Sequence, residues 1–398
     1  MKRHYQLIII GAGPAGSYAA ATAAKAGCDV LLVERDKEVG YPLACAEGIS
    51  AVGLKRFLEP KGSFVAAEID TVNLKVATGY NYTYHFGQTA GYILNRPSFD
   101  QYLAGEAVAA GATLWTGTYA AGIEIGKGVA AKVYLESPLG KTTVRGDYII
   151  AADGVESMMG RLAGIDTHLK PAQAEATLQY RVSGIDIDPC CAEFYFGARY
   201  TPNGYLWVFP KSPRSANIGV GLNPAKSQGS YLRELLDRFI REHYRRSRIE
   251  FAVCGLVPKF IGWQVLGKDN LLLVGDAART VDSLAGAGIS KALHTGQLAA
   301  RTVVTAIQEK MTDGELQKCY CRAVKREIGS ELRFLRKAYP VFREFNDKDW
   351  ESLIRFLKRL SEKEKTGLIP DPVAIVRTAA ASVSCLTRLA RHCLTGLV

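Results

Sequence analysis

No stretch of about 20 consecutive apolar residues occurs in the 398-residue sequence, so no membrane-spanning helix is expected. The N-terminal segment MKRHYQLIIIGAG starts basic, but its apolar run is only Leu7 to Ile10, too short for the core of a secretion signal. The nine cysteines include no CxxC, their number is odd and they do not pair by spacing. Neither a disulfide framework nor a zinc finger is expected; a reduced, cytoplasmic chain without a metal is. No long Lys/Arg block exists, and aromatic residues do not interleave with a basic stripe. The net charge of +11 therefore does not point to nucleic acid. It suits an anionic membrane surface or a phosphorylated ligand better. Repeats and low-complexity segments are also missing. With 48% hydrophobic and 22% charged residues the composition is globular, and the length allows more than one core.

What is present begins with YQLIIIGAGPAGSYAAATAAKAGCDVLLVER. Leu7 to Ile10 read as a buried parallel strand. Gly11, Gly13 and Gly16 form a GxGxxG. The first permits a tight turn, the second lets backbone approach a pyrophosphate, and the third lets the following helix pack closely on the strand. Ser17 to Ala26 are alanine-rich and predict that helix. The strand CDVLLVER ends in Glu34, whose carboxylate is placed to accept both hydroxyls of an adenosine ribose. Strand, glycines, helix, strand and acid in this order predict one dinucleotide site.

Two later segments decide which dinucleotide. In DYIIAADGVESMMGRLAGI, an apolar strand runs into Asp153-Gly154, with Ser157 and Arg161 following. In NLLLVGDAARTVDSLAGAGISKALHTGQLAA, the strand Leu271 to Val274 ends in Gly275-Asp276 and leads to a small-residue helix. An aspartate at such a strand end can bond ribityl hydroxyls. A helix start behind Gly288 and Ile289 can aim N–H groups at the flavin edge that gathers negative charge on reduction. FAD is the expected cofactor.

The ordered set GxGxxG…E, DGxxSxxR and GDAA…GxGI resembles the flavin-dependent monooxygenases and reductases with the glutathione-reductase-like FAD fold. YPLACAEGIS, GYLWVFPKSPRSANIGVGL and NRPSFDQYLAGEAVAAGA further resemble geranylgeranyl reductases, especially the archaeal digeranylgeranylglycerophospholipid reductases. The likeness spans roughly residues 5 to 305. It implies FAD contacts at Ala15, Glu34, Cys45, Ala46, Gly48, Arg96, Ala120, Asp276, Gly288 and Ile289. It also implies an α/β fold: a Rossmann-like FAD-binding domain, an inserted antiparallel β-sheet substrate domain and a helical C-terminal region. The expected boundaries are 1–65, 96–165 and 265–305 for the first, 66–95 and 166–264 for the second, and 306–398 for the third. One departure stands out. The family usually has a proline and a glycine pair in the turn after GDAA, whereas this chain has Asp282-Ser283-Leu284-Ala285-Gly286-Ala287-Gly288.

Cys45 has no second cysteine before Cys190, so a dithiol is not expected. Two readings stay open: a small buried apolar residue, or part of a CAEG loop that hugs the isoalloxazine ring. Glu47 is either a proton source or a solvated or helix-capping glutamate before a short helix. Tyr205, Trp207 and Phe209 alternate and so share one strand face. They are ordinary core or the wall of an apolar slot for a prenyl chain, and the resemblance favours the slot. Lys211 is expected at the surface, or against a phosphate head group. The segment SYLRELLDRFIREHYRRSRIEF predicts an amphipathic helix with a basic, solvated face. Residues 372–398 contain no acidic residue, and the tail is expected to lie on an anionic bilayer or to pack as a capping helix.

The resemblance implies a reductase of phospholipid biosynthesis that passes a hydride from reduced flavin N5 to an isolated C=C bond of a geranylgeranyl chain. Its partners would be a prenylated lipid or isoprenoid and an electron donor such as ferredoxin or NAD(P)H. Its place would be the cytoplasm, as a peripheral protein on the inner membrane face. The alternatives are an FAD-dependent aromatic hydroxylase and a non-catalytic flavoprotein electron carrier.

Overall fold

Leu7–Ile10, Val30–Val33 and Leu271–Leu273 are buried throughout, as strands covered on both faces require. The computed structural model, which describes residues 2–224 and 231–363, places them in one sheet. The strand His4–Ile10 pairs in parallel with Val30–Val33 on one side and with Gly140–Ala151 on the other. Leu271–Leu273 continues the parallel set beyond Gly140–Ala151. The chain winds outward in both directions from the first strand, and in such sheets the ligand crevice lies at the carboxyl ends of the strands around that point. Every FAD-type motif follows one of those ends: the glycine loop after Ile10, Glu34 after Val33, Asp153 after Ala151 and Gly275-Asp276 after Leu273.

The helix Pro14–Lys25 packs on both Arg96–Ala109 and Ile289–Glu309. Small residues permit this. A side chain at Gly296 would overlap the backbone of Ala15, and Ala15 itself is buried.

The second sheet has seven strands in the order 248–258, 174–183, 215–222, 205–212, 191–196, 71–76 and 81–85. It is antiparallel except where Cys191–Phe196 runs parallel to Thr71–Val76. One face is covered by the helix Tyr231–His243, whose Leu235, Leu236, Phe239 and Ile240 pack on Tyr195, Leu206, Ile218 and Val220. This helix ends earlier than the sequence pattern predicts. Arg248 to Phe251 instead open the edge strand Arg248–Pro258, because their backbone pairs with Ala174–Ser183. The basic residues Arg241, Arg245 and Arg246 are solvent-exposed. A small sheet of Gly48–Ser50, Gly91–Leu94 and Val65–Ile69 brings residue 48 beside residue 93.

The helices Ile289–Glu309, Asp313–Phe342 and Asp347–Lys363 follow, the second opened by a reciprocal Thr312/Glu315 capping box. The tail expected on a bilayer lies outside the described residues. Among the described residues no helix is long and apolar enough to cross a membrane.

His294, buried on the helix Ile289–Glu309, faces Arg56 at 3.2 Å through its Nε2. A guanidinium can only donate, so Nε2 accepts and the ring is neutral. Burial and, next, the Arg56 charge push His294 down to about 4. The unfolded chain, with an ordinary histidine, binds the proton first. Stability from this site is therefore complete above about pH 6.5 and falls as pH drops toward 4, by up to about 3 kcal/mol. Denaturant titrations at pH 7 and pH 4.5 should show a smaller acid loss in His294→Gln than in the wild type.

Candidate FAD and prenyl-binding site

The glycine loop divides its three roles among three positions. Gly11 has φ +102°, and a side chain there would strike the Ala152 carbonyl. Gly16 lies directly on the Gly11 carbonyl, so only hydrogen fits. Gly13 differs: a Cβ there would meet no protein atom within 4 Å, so the space beside it is open to a ligand. Pro14 starts the helix, and no side chain caps its N-terminus at Gly13. Gly288, at the start of Ile289–Glu309, likewise carries no side-chain cap. By contrast, Ser50 and Thr312 cap the helices that follow them. Gly275 lies between the first turns of both helices: a Cβ there would stand 3.1 Å from Ala15 Cβ and 3.5 Å from Ala292 Cβ. First-turn N–H groups without partners suit anionic groups.

Glu34 accepts the backbone N–H of Ala12 at 2.8 Å and that of Asp36 at 3.0 Å, which fixes the acid at the glycine turn. The Asp276 carboxylate accepts no hydrogen bond among the described residues, and its Oδ1 lies 3.5 Å from where a Cβ on Gly288 would stand. Burial raises its pKa, and the charge of Arg96 opposes this. The open space at Gly13, the uncapped helix starts and the unpartnered Asp276 fit a bound FAD. Asp153 does something else. It accepts from Ser157 Oγ at 3.0 Å and Met159 N at 2.8 Å, so it shapes its own turn. Ala120 is buried on Tyr119–Gly126, and Thr118 N bonds the Glu34 carbonyl at 2.8 Å.

Arg96 opens the helix Arg96–Ala109 and forms a two-point ion pair with Asp100, both contacts 2.9 Å. Its charge also reaches the Cys45 thiol. Cys45 is partly buried, and desolvation pushes its thiol up. Its sulfur accepts the Glu47 N–H at 3.2 Å, and its carbonyl accepts Gln179 Nε2 at 3.0 Å. Gln179 in turn accepts Trp207 Nε1 at 3.0 Å. Ala46 packs against the cluster that holds Trp207 and Phe209, and a Cβ on Gly48 would stand 3.1 Å from the Phe209 ring. The CAEG loop therefore lies against the aromatic face of the second sheet. Rings on that face follow one another from Phe209 to Phe194 at 5.4 Å and Phe194 to Tyr205 at 5.8 Å.

Two expectations need correction. Glu47 is neither solvated nor a cap on the short helix Ala51–Lys55, which Ser50 caps. It is fully buried, and its Oε1 accepts Arg96 N at 2.8 Å, capping the Arg96–Ala109 helix instead. Its Oε2 accepts Arg181 at 3.0 Å, Lys211 at 2.8 Å and Asn217 at 2.6 Å. Both oxygens of this carboxylate are engaged, by four donors of which two are cationic. Lys211 is likewise not at the surface: it is committed to Glu47 and to the Leu94 carbonyl. Burial pushes its ammonium down, with Glu47 opposing.

The unusual turn at 282–288 is held by its own aspartate. Asp282 accepts the N–H groups of Leu284, Ala285 and Ala287 at 2.9, 2.6 and 3.0 Å. Ser283 bonds the Phe260 carbonyl at 2.6 Å, and Tyr205 reaches the Ala285 carbonyl at 2.6 Å. Three accepted hydrogen bonds supply the rigidity that proline would otherwise give.

A digeranylgeranylglycerophospholipid reductase of Methanocella arvoryzae is 36% identical over 335 residues, covering 83% of this chain and 86% of its own length. The protein belongs to the geranylgeranyl reductase family. The namesake of Methanoculleus marisnigri is 38% identical over 380 residues, covering 93% and 95%. The family profile for the geranylgeranyl reductase catalytic domain matches residues 173–257, and that for an FAD binding domain matches residues 4–180. Among solved structures, a geranylgeranyl bacteriochlorophyll reductase-like protein of Thermoplasma acidophilum superposes with a TM-score of 0.90 at 29% identity, covering both chains fully.

Within this geranylgeranyl reductase fold, sequence reasoning missed Gln179, Arg181 and Asn217. Each sits on the loop-facing side of its strand, in register with Trp207 or Phe209 across the sheet. The signal was available in part. Lys211 follows Phe209 by two residues, and Asn217, Gly219 and Gly221 alternate, which places each set on one face. The convergence of Arg181, Lys211 and Asn217 on Glu47 requires strand register, which sequence spacing alone does not supply.

Proposed function

We propose that this chain saturates C=C bonds of geranylgeranyl chains carried by a lipid or related isoprenoid. The observation that carries the reading is the contact between the CAEG loop and the face bearing Tyr205, Trp207 and Phe209, so close that a Cβ on Gly48 would stand only 3.1 Å from the Phe209 ring. Ala15, Glu34, Arg96, Asp276, Gly288 and Ile289 would hold FAD, with Gly11, Gly13 and Gly16 forming the loop beneath it, Ala120 lining the adenosine side, and Cys45, Ala46 and Gly48 against its ring. When bound and reduced, FAD supplies a hydride to one carbon of the alkene.

The residues do the rest. An unactivated alkene is a poor hydride acceptor, so the aromatic face must hold it in contact and keep water out. The small side chains at 46 and 48 let the loop pack directly on the rings, so the prenyl chain would lie over the flavin face turned away from the loop. The proton for the second carbon comes from water or from an acid. The basic surface suits a phosphate-bearing, membrane-resident substrate and a peripheral stance on an anionic bilayer.

The decisive experiment is anaerobic. Purified protein reduced with dithionite is mixed with geranylgeranylated phospholipid, geranylgeranyl diphosphate or a geranylgeranylated tetrapyrrole, and products are weighed by mass spectrometry. We expect gains of two hydrogens per reduced bond, largest for the phospholipid. Repeating the assay with ferredoxin and with NAD(P)H as reductant identifies the donor. No gain with any substrate overturns the reading. Rapid NAD(P)H use coupled to aromatic hydroxylation would replace it with the hydroxylase, and stable redox cycling alone with an electron carrier.

A further inference from the structure

Loop residues 45, 46 and 47 each receive a bond from the loop-facing side of the second sheet. Cys45 O takes Gln179 Nε2 at 3.0 Å, Ala46 O takes Asn217 Nδ2 at 3.3 Å, and Glu47 Oε2 takes Arg181, Lys211 and Asn217. These donors stand on three neighbouring strands, Ala174–Ser183, Ser215–Leu222 and Tyr205–Ser212. The other side of Glu47 faces the first domain. Oε1 takes Arg96 N, and the Glu47 carbonyl takes Leu94 N at 2.8 Å. Glu47 also has φ +72°, a conformation that a non-glycine residue adopts only when its surroundings over-determine it. Its N–H, carbonyl and both carboxylate oxygens are all engaged.

We infer that Glu47 is a positioning residue: its buried carboxylate, clasped by Arg181, Lys211 and Asn217, sets the register between the flavin-side loop and the aromatic strand. This deepens the reductase reading and rests on it. The clasp fastens to the strand that carries Trp207 and Phe209, with Lys211 two residues beyond Phe209 on the same face. A small slide of loop against sheet changes the gap between the FAD ring and the alkene, and misplacement of reacting groups by about 1 Å costs on the order of 100-fold in rate. Glutamine at 47 keeps the shape but cannot balance two buried cations. Aspartate is one methylene short of the three strands.

The test compares Glu47→Gln, Glu47→Asp, Lys211→Met and Lys211→Arg in the FAD-loaded enzyme. Readouts are FAD content, the visible flavin band, melting temperature, and kcat and KM for a geranylgeranylated phospholipid. Glu47→Gln and Lys211→Met should retain FAD and keep KM within about 3-fold while kcat falls by about 30-fold, with an altered flavin band. Lys211→Arg should recover part of kcat, and Glu47→Asp none. Unchanged kcat and band in Glu47→Gln would overturn the inference, as would a parallel fall of FAD content, melting temperature and kcat in all four. If Glu47→Gln does not fold, the Lys211→Met and Lys211→Arg pair decides, since equal kcat in the two would refute positioning by charge. Should the wild type reduce no prenyl substrate, the reductase reading fails on its own, and the flavin band of Glu47→Gln still reports on the clasp.

Discussion

Gly13→Val should purify as a folded, colourless protein. Gly13 has φ −68° and ψ −177°, backbone open to any residue, and a Cβ there meets no protein atom within 4 Å. The fold has no reason to reject valine beyond a weaker helix start, about 1 kcal/mol. The dinucleotide does. The side chain would occupy the space through which a pyrophosphate reaches the first-turn N–H groups of Pro14–Lys25, and FAD affinity should fall by at least about 100-fold, or about 3 kcal/mol. Gly16→Val is the contrasting control. Its side chain would overlap the Gly11 carbonyl and crowd Ala152, so it should lose the fold itself. Absorbance at 450 nm against a melting curve for both variants checks the pair. A yellow Gly13→Val protein would mean that the pyrophosphate does not pass this glycine.

The difference between those two glycines marks how far the sequence could be read. The order of strand, glycine loop, helix and terminal acid placed the first sheet and its crevice, because a buried parallel strand and a GxGxxG leave few other arrangements. The alternation of Tyr205, Trp207 and Phe209 placed them on one face of a strand, and the structure puts the CAEG loop on that face. Electrostatics was less legible. Glu47 and Lys211 lie 164 positions apart, and nothing local distinguishes a buried pair from two surface charges. Only the register of three strands brings Arg181, Asn217 and Lys211 to one carboxylate. The turn after Asp276 shows the same limit. Its missing proline reads as lost rigidity in sequence, whereas in space the Asp282 carboxylate gathers three backbone N–H groups to the same end. The edge strand Arg248–Pro258 was misread at its start for a related reason. Basic residues continue a helical pattern past His243, but backbone pairing with Ala174–Ser183 prevails.

Trp207→Ala should cost the enzyme its prenyl turnover before it costs it FAD. The indole is 4% exposed, lies across Gly219 and donates to Gln179, which holds the Cys45 carbonyl. Truncation leaves a cavity and an unpaired amide oxygen, so stability should fall by about 3–5 kcal/mol. The groups proposed to hold the adenosine and pyrophosphate, Gly13, Glu34 and the start of Pro14–Lys25, belong to the other sheet's layer and should keep FAD bound. Turnover of a geranylgeranylated lipid should drop by on the order of 100-fold, because the alkene loses a wall and the loop loses one of its ties. Trp207→Phe separates the two causes. It fills most of the cavity but makes no bond to Gln179, so a variant with near-normal stability and reduced kcat would assign the loss to the tie. Full recovery of kcat in Trp207→Phe would assign it to the wall. Loss of FAD in step with turnover in Trp207→Ala would instead make the indole ordinary core, and would remove the aromatic face from the substrate's path.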